Sequence, residues 1–422
     1  AIRVCFYVMR NQSSSAVALC DTSGICRNAA WAISNLARGA ETLASQFLAI
    51  GSTVTGFEGL LQPDDLGNIL MSPELMAQMT VRNQTPSNGK GENAILKVTW
   101  DEVALEACWI LAFLTSREDQ AVEFLLTFTD GNNSNAKSKP SLLCQALAFR
   151  LSQASDRIIL ADNTNTPTHI GGTSFETTTS FSAENDIAAR TCVPCIRAVG
   201  NIATACDGRH VAKLLTTYSI TTPTTTITCS IADSLAKLID NGSLTGIGES
   251  ATLAPEAAWA AGTLLCDAGP PLPHPSTACA KILVPALCRS LISKMSKLEL
   301  KREAASALWN AVASPPEPRV TTVDLTATGG SAMVSSSNNG EDLATLRVRN
   351  EILKKMAETE DVILSLTSLL TSLDMDAVYA SIRIVDAIFR RISCRTIRKV
   401  FAEAGVLDAL ETVCDRVSVS YS

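Results

Sequence analysis

One pattern returns along the 422 residues and constrains the fold more than anything else in them. It is a helical stretch of small residues that carries one large side chain and a polar residue about one turn on. The copies read CRNAAWAISNLARG at 26–39, LEACWILAFLTS at 105–116, CIRAVGNIATACDG at 195–208, PEAAWAAGTLLCD at 255–267 and KREAASALWNAVAS at 301–314. A degenerate sixth copy is YASIRIVDAIFRRI at 379–392. With Trp31, Trp109, Arg197, Trp259 and Ser306 as equivalent positions, successive copies lie 78, 88, 62 and 47 residues apart. A unit of this kind cannot bury its apolar face alone; it is stabilised by stacking against its neighbours.

The shortest spacing equals one armadillo or HEAT unit, which runs about 40–47 residues. The longer spacings are read as the same unit plus polar insertions. Residues 83–94 and 130–139 are Asn/Gly/Ser-rich, and residues 163–185 and 320–342 are long, Thr/Ser/Gly-rich and without helical period. These four segments are expected to be disordered insertions. The Thr-rich stretch 216–229 is open between a loop and an irregular strand. A further helix start is offered by FAEAGVLDALETVC at 401–414. The expectation is one all-α domain over 1–422: a right-handed armadillo-repeat α-solenoid of about six to seven repeats, with long Ser/Thr/Gly-rich inter-helix insertions.

Composition narrows the function. The 35 basic residues against 42 acidic ones give a net charge of −7. Phosphate binding needs a cationic face, so nucleic acid is a poor partner and a basic protein a better one. No apolar run reaches the eighteen residues of a membrane helix, and the first nine residues are too short for a signal peptide. No membrane partner is expected. The fourteen cysteines are scattered through apolar helical stretches, as in Ala107-Cys108-Trp109, and read as small buried hydrophobes in a reducing compartment. Cys192-Val-Pro-Cys195 has no second pair at metal-ligand spacing, and Pro194 suits the first turn of the Arg197 helix. The three histidines, His169, His210 and His274, are far apart, and no nucleophile–base grouping or phosphate loop is present. The Pro cluster at 270–275 suits a rigid inter-repeat loop better than a polyproline ligand. No enzyme, no cofactor and no metal site is expected.

At the repeated segments the chain resembles the importin alpha family of armadillo adaptors. RNAAWAISNLARG resembles the third helix of that family's fourth repeat, and EACWILAFLTS that of the fifth. CIRAVGNIATACD resembles the sixth, where the family itself uses Arg for Trp, and PEAAWAAGTLLCD and KREAASALWNAVAS resemble the seventh and eighth. Residues 379–392 look like the ninth, and FAEAGVLDALE like the start of the tenth. The resemblance implies an adaptor that binds nuclear localisation signals, with an importin-beta-type carrier as second partner and residence in cytoplasm and nucleus. No Arg/Lys-rich importin-beta-binding segment stands in the chain, and nothing before residue 26 resembles the first three repeats. A fragment and a divergent relative both fit.

The same residues have a chemistry of their own. Positions i and i+4 lie one above the other on a helix, so Trp31 forms a shelf with the Asn35 amide beside it. An indole can stack on the stem of a peptide Lys or Arg and attract its cation, and an Asn amide can both donate to and accept from an extended backbone. Glu102, Glu106, Trp109 and Phe113 fall on one helical face, and Arg197 and Asn201 repeat the i, i+4 pair. Glu256 precedes Trp259 by three, Glu303 precedes Ser306 by three, and Asp207 follows Asn201 by six. In the resembled family such acids hold the positive ends of the signal. Thr263, Phe113 and Ser306 depart from that family's Asn, Tyr and Trp; Trp309 lies beside the retained Asn310, about 100° off the shared face. The expected peptide-binding set is Trp31, Asn35, Glu102, Glu106, Trp109, Arg197, Asn201, Asp207, Glu256, Trp259, Glu303 and Asn310. Two functions stay open at this point: a non-enzymatic adaptor whose concave groove takes a basic extended segment for transport, and a scaffold subunit held permanently in a cytoskeletal or organellar assembly with a degenerate groove.

Overall fold

The computed structural model describes residues 19–39, 66–67, 70, 90–116, 119–127, 142–164, 183–205, 208–221, 226–241, 252–266, 277–313, 343–392 and 395–420. Its helices in chain order are α1 (Leu19–Gly39), α2 (Lys90–Thr115), α3 (Asp119–Thr127), α4 (Leu142–Thr164), α5 (Ala183–Thr204) and α6 (Gly208–Leu214). A hairpin follows, β1 (Tyr218–Thr221) and β2 (Thr226–Cys229), paired antiparallel with Tyr218 opposite Cys229. Then come α7 (Ile231–Asn241), α8 (Leu253–Leu265), α9 (Thr277–Ile292), α10 (Leu298–Val312), α11 (Leu343–Glu358) and α12 (Glu360–Leu370). The chain closes with α13 (Met375–Arg391), α14 (Arg395–Glu403) and α15 (Val406–Ser420).

These helices form two stacked layers. In the first, α1 packs on α2, α2 on α5, α5 on α8, α8 on α10 and α10 on α13. All six repeated segments of the sequence fall in this layer, one per helix. In the second layer α4 packs on α7, α7 on α9, α9 on α12 and α12 on α15. The layers are joined unit by unit, α4 to α5, α7 to α8, α9 to α10 and α12 to α13. One apolar cluster runs between them from Ala29 to Val413. A structure in which each unit touches its sequence neighbours and shares one continuous core is an α-solenoid, here of the armadillo-like kind with a short helix opening several units. No described helix is long and apolar enough to cross a membrane.

Small residues set how closely the first-layer helices approach. A Cβ built at Gly200 of α5 would overlap the Trp259 ring of α8, and one at Gly262 would press on Ala307 of α10. Gly405, between α14 and α15, has φ +68°, a conformation that favours Gly and ends the first of the two helices. That break divides the helix start read at 401–414 into two elements.

A second device fixes the register of neighbouring units. The last four carbonyls of a helix have no partner within it. The Asn201 amide of α5 donates to the Ala112 carbonyl at the end of α2 (3.0 Å), and the Asn310 amide of α10 to the Gly262 carbonyl at the end of α8 (3.2 Å). Arg391 of α13 donates to the Val312 carbonyl ending α10 (2.9 Å), and Lys213 of α6 to the Leu126 carbonyl in α3 (2.6 Å). Arg416 of α15 reaches Leu370 O, the last of α12, and Ser372 O beyond it (both 2.7 Å). Each such side chain caps the same end of the preceding unit, and the cationic ones also complement the helix dipole there.

Five expectations need restating against this structure. The hairpin resolves the Thr-rich stretch 216–229 as two short strands, in keeping with its β-branched residues. Pro194 sits in the interior of α5, which starts eleven residues earlier at Ala183, and not in its first turn. Cys192 and Cys195 are therefore core residues and not helix-entry residues. Helix α2 begins at Lys90, inside the stretch read as an insertion at 83–94. The stretch read as an insertion at 163–185 is likewise helical at its ends, 163–164 in α4 and 183–185 in α5, while residues 83–89, 130–139, 165–182 and 320–342 lie outside the described residues.

Candidate functional site

Every first-layer helix turns one stripe away from the core, and the stripes of adjacent helices join. Three clefts among the described residues follow one another along the joined stripes. The first is lined by Trp31, Ser34, Asn35, Arg38, Glu106, Trp109, Phe113 and Arg197. The second, about 380 Å³, is lined by Arg197, Asn201, Thr252, Pro255, Glu256, Trp259, Glu299 and Glu303. The third is lined by Arg302, Glu303, Ser306, Trp309, Asn310, Asp376, Tyr379, Ala380 and Arg383. Arg197 belongs to both the first and second clefts and Glu303 to both the second and third, so the three are one groove across six helices.

The groove collects ten of the twelve expected residues as its lining. Glu102 is in the same stripe of α2 but pairs with Arg27 of α1 at 3.0 Å. Asp207 lies outside the described residues. Trp31 is the most open of the aromatic shelves, 60% exposed. Trp109 is half-buried and stacked on Phe113, ring centroids 5.4 Å apart and 20° between planes. Trp259 is half-buried too, with one edge of its ring against Gly200. Trp309 lies in the third cleft despite its rotation off the shared face, because the side of a first-layer helix that meets its neighbour also borders the groove.

Hydrogen bonding changes what the Asn residues have to offer. The Asn201 and Asn310 amides are spent on the helix-end carbonyls described above. The Asn35 amide folds back on Trp31 O of its own helix at 2.8 Å, and its carbonyl accepts from Arg38 at 3.2 Å. Thr263, at the corresponding place in α8, donates to Ala260 O at 2.7 Å. Asn201 and Asn310 still line the groove, and an amide oxygen can accept from an extended backbone.

Charge in the groove is organised by the chain's own arginines, which the sequence reading largely missed. Arg197 grips Glu256 through Nη2 at 2.6 Å and Nε at 3.3 Å, with its guanidinium 5.8 Å from the Trp109 ring centroid. The bond to Glu256 raises the Arg197 pKa. Arg302 donates twice to Glu303 (2.9 and 3.1 Å) and once to Asp374 (3.3 Å), the residue whose carboxylate caps α13. Arg383 lies 4.1 Å from the Tyr379 centroid and 5.2 Å from that of Trp309. Ser34 donates to Glu106 across α1 and α2. Asp376, Tyr379 and Arg383 repeat the spacing of Glu256, Trp259 and Thr263, and this spacing is the signal that places the degenerate copy at 379–392 in the groove.

Among the described residues the core beneath holds its thiols buried. Cys108, Cys192 and Cys195 are fully buried, with Cys108 and Cys195 sulfurs 3.3 Å apart, and burial pushes the Cys192 thiol far up. A thiol held protonated is a poor nucleophile and a poor metal ligand. Among the described residues no three His, Cys, Asp or Glu are placed to share a metal ion.

No family model and no curated protein matches the chain. Artificial proteins are among the solved structures similar to it. An engineered protein aligns over 92% of this chain and 96% of its own at 14% identity and TM-score 0.45. A designed armadillo repeat protein aligns over 90% and 98% at 12% identity and TM-score 0.43. A second engineered protein aligns over 97% and 83% at 16% identity and TM-score 0.36. The fold is established by the helix packing above. Membership of the importin alpha family is not supported by these similarities, and that resemblance rests on the repeated motifs alone.

Proposed function

We infer that the groove along α1, α2, α5, α8, α10 and α13 binds an extended, basic segment of a protein partner and performs no chemistry on it. The observation that carries this reading is the middle cleft, where Glu256, Glu299 and Glu303 line the same space as the Trp259 ring. Arg197 takes up Glu256 and Arg302 takes up Glu303, but Glu299 keeps its charge open. Glu299 is exposed and makes no ion pair among the described residues. A Lys or Arg stem laid along that ring gains dispersion and cation–π attraction while its head meets carboxylates. The motif resemblance adds the finer proposal of an importin-alpha-like adaptor in protein transport, working with an importin-beta-type carrier between cytoplasm and nucleus.

A second reading draws on a different observation. Several groove acids already have arginine partners, and two of the Asn amides cap helix ends, which suits a scaffold subunit held in a permanent assembly. One titration separates the two. A fluorescein-labelled peptide alternating Lys and Ala should bind at 50 mM salt and weaken by more than about tenfold at 300 mM, because exposed charge pairs are screened. The double reversal Glu299→Lys/Glu303→Lys should abolish the signal. Absence of binding at low salt would leave the scaffold reading.

A further inference from the structure

The arginines of the groove stand where a ligand's cations would stand. A cation slot in this architecture is an aromatic face with a carboxylate or a second ring beside it. The face of Trp109 and the carboxylate of Glu256, on helices α2 and α8, are bridged by one guanidinium, that of Arg197 from the helix between them. The faces of Trp309 and Tyr379 are bridged in the same way by Arg383. Trp259, with Glu299 at the mouth of its cleft, has no guanidinium over its ring among the described residues. Both bridging side chains are reachable from solvent, Arg197 with 46% of its side chain exposed, so each can swing out without unpacking the core.

We propose that Arg197 and Arg383 are cis occupants of the two cation slots that flank Trp259, so that of these three slots among the described residues the Trp259–Glu299 slot is the one open to a partner at rest. The inference rests on the basic-segment reading above and refines it. A partner must place its leading Lys or Arg against Trp259, and gains the flanking slots only by displacing the resident arginines. The groove then selects against a short basic run that offers one cation. It rewards a longer segment whose cations span about three helix spacings of roughly 8–10 Å each.

Removing a cis occupant should therefore strengthen binding, the opposite of what loss of a binding residue does. The probe is the alternating Lys/Ala peptide, twelve residues long. Arg197→Ala and Arg383→Ala should each tighten it by about fivefold, the scale of one exposed cation–π contact. Arg289→Ala is the control: Arg289 pairs with Asp240 in the second layer (2.7 Å), so its loss changes net charge as both groove variants do, and frees a carboxylate as Arg197→Ala does, away from the groove. The control should stay within about twofold. Equal tightening in the control, or unchanged or weaker binding in both groove variants, overturns the proposal. Caesium quenching of tryptophan fluorescence gives a readout that needs no peptide. Arg383→Ala should raise it, because the Trp309 face becomes open to a small cation, and Arg289→Ala should not. No rise overturns the proposal. A rise with no peptide binding by any form leaves the cis occupants in place and removes the basic-segment reading.

Discussion

Trp31 and Trp259 occupy equivalent sequence positions, yet they should behave differently when truncated. Trp31 is open to solvent, so Trp31→Ala leaves almost no cavity and should cost under about 1 kcal/mol of stability. Trp259 fills the hollow made by Gly200, and Trp259→Ala should cost about 3 kcal/mol by urea unfolding. Gly200→Ala drives a methyl into the indole and should cost about 2 kcal/mol. In the double variant that clash is gone, so the two losses should not add; strict additivity would contradict the packing described. The equivalence of these tryptophans was legible in the sequence because helical spacing fixes which face a residue occupies. Their difference was not, because it depends on a glycine 59 residues away on another helix.

At the scale of the helix, the capping contacts between units explain why polar residues persist at fixed places in otherwise apolar segments. Asn310→Ala removes the amide donor from the Gly262 carbonyl and should lower stability by about 1 kcal/mol; Asn201→Ala should cost less, because the Ala112 carbonyl keeps the Thr115 hydroxyl (3.2 Å). Both losses should appear without any peptide present, which distinguishes a cap from a ligand contact. A buried cluster between α2 of the first layer and α4 of the second is more sensitive. Asp101 is almost fully buried and pairs with Arg150 (3.2 Å) and Arg157 (3.3 Å), so Asp101→Asn removes the counter-charge of the buried Arg150, which keeps only the Leu70 carbonyl, and should cost about 3 kcal/mol in the same assay. The Asn positions were visible in the sequence as a ladder, but their partners were not. Helix-end carbonyls carry no sequence signature, and an amide that reads as a ligand donor is taken up by whichever unsatisfied acceptor lies nearest. Pro194 misled for a related reason: proline favours a first turn, but packing on both sides of α5 holds it in the interior.

Across the whole molecule the buried thiols set an alkaline limit. Desolvation pushes Cys288 up to about 11 and Cys279 up to about 12, from the ordinary 9.0. A raised folded pKa means that the unfolded chain releases its protons first. The stability these groups contribute is therefore complete below pH 9 and falls as pH climbs toward 11 and 12. Urea midpoints should drop between pH 9 and 11, and Cys279→Ala/Cys288→Ala should flatten that dependence. The stacking order of the first layer was the most legible property of all, since six similar segments in one chain have only one economical way to bury their shared face. The charge of the groove was the least legible, because each arginine reaches across to a different helix. The central claim is that this groove is where a partner lies, and photo-crosslinking tests it most directly. A Lys/Ala peptide carrying one benzoylphenylalanine should attach to residues of α2, α5, α8 and α10. Attachment to α4, α7, α9 or α12 instead, or none at 50 mM salt, would contradict the account.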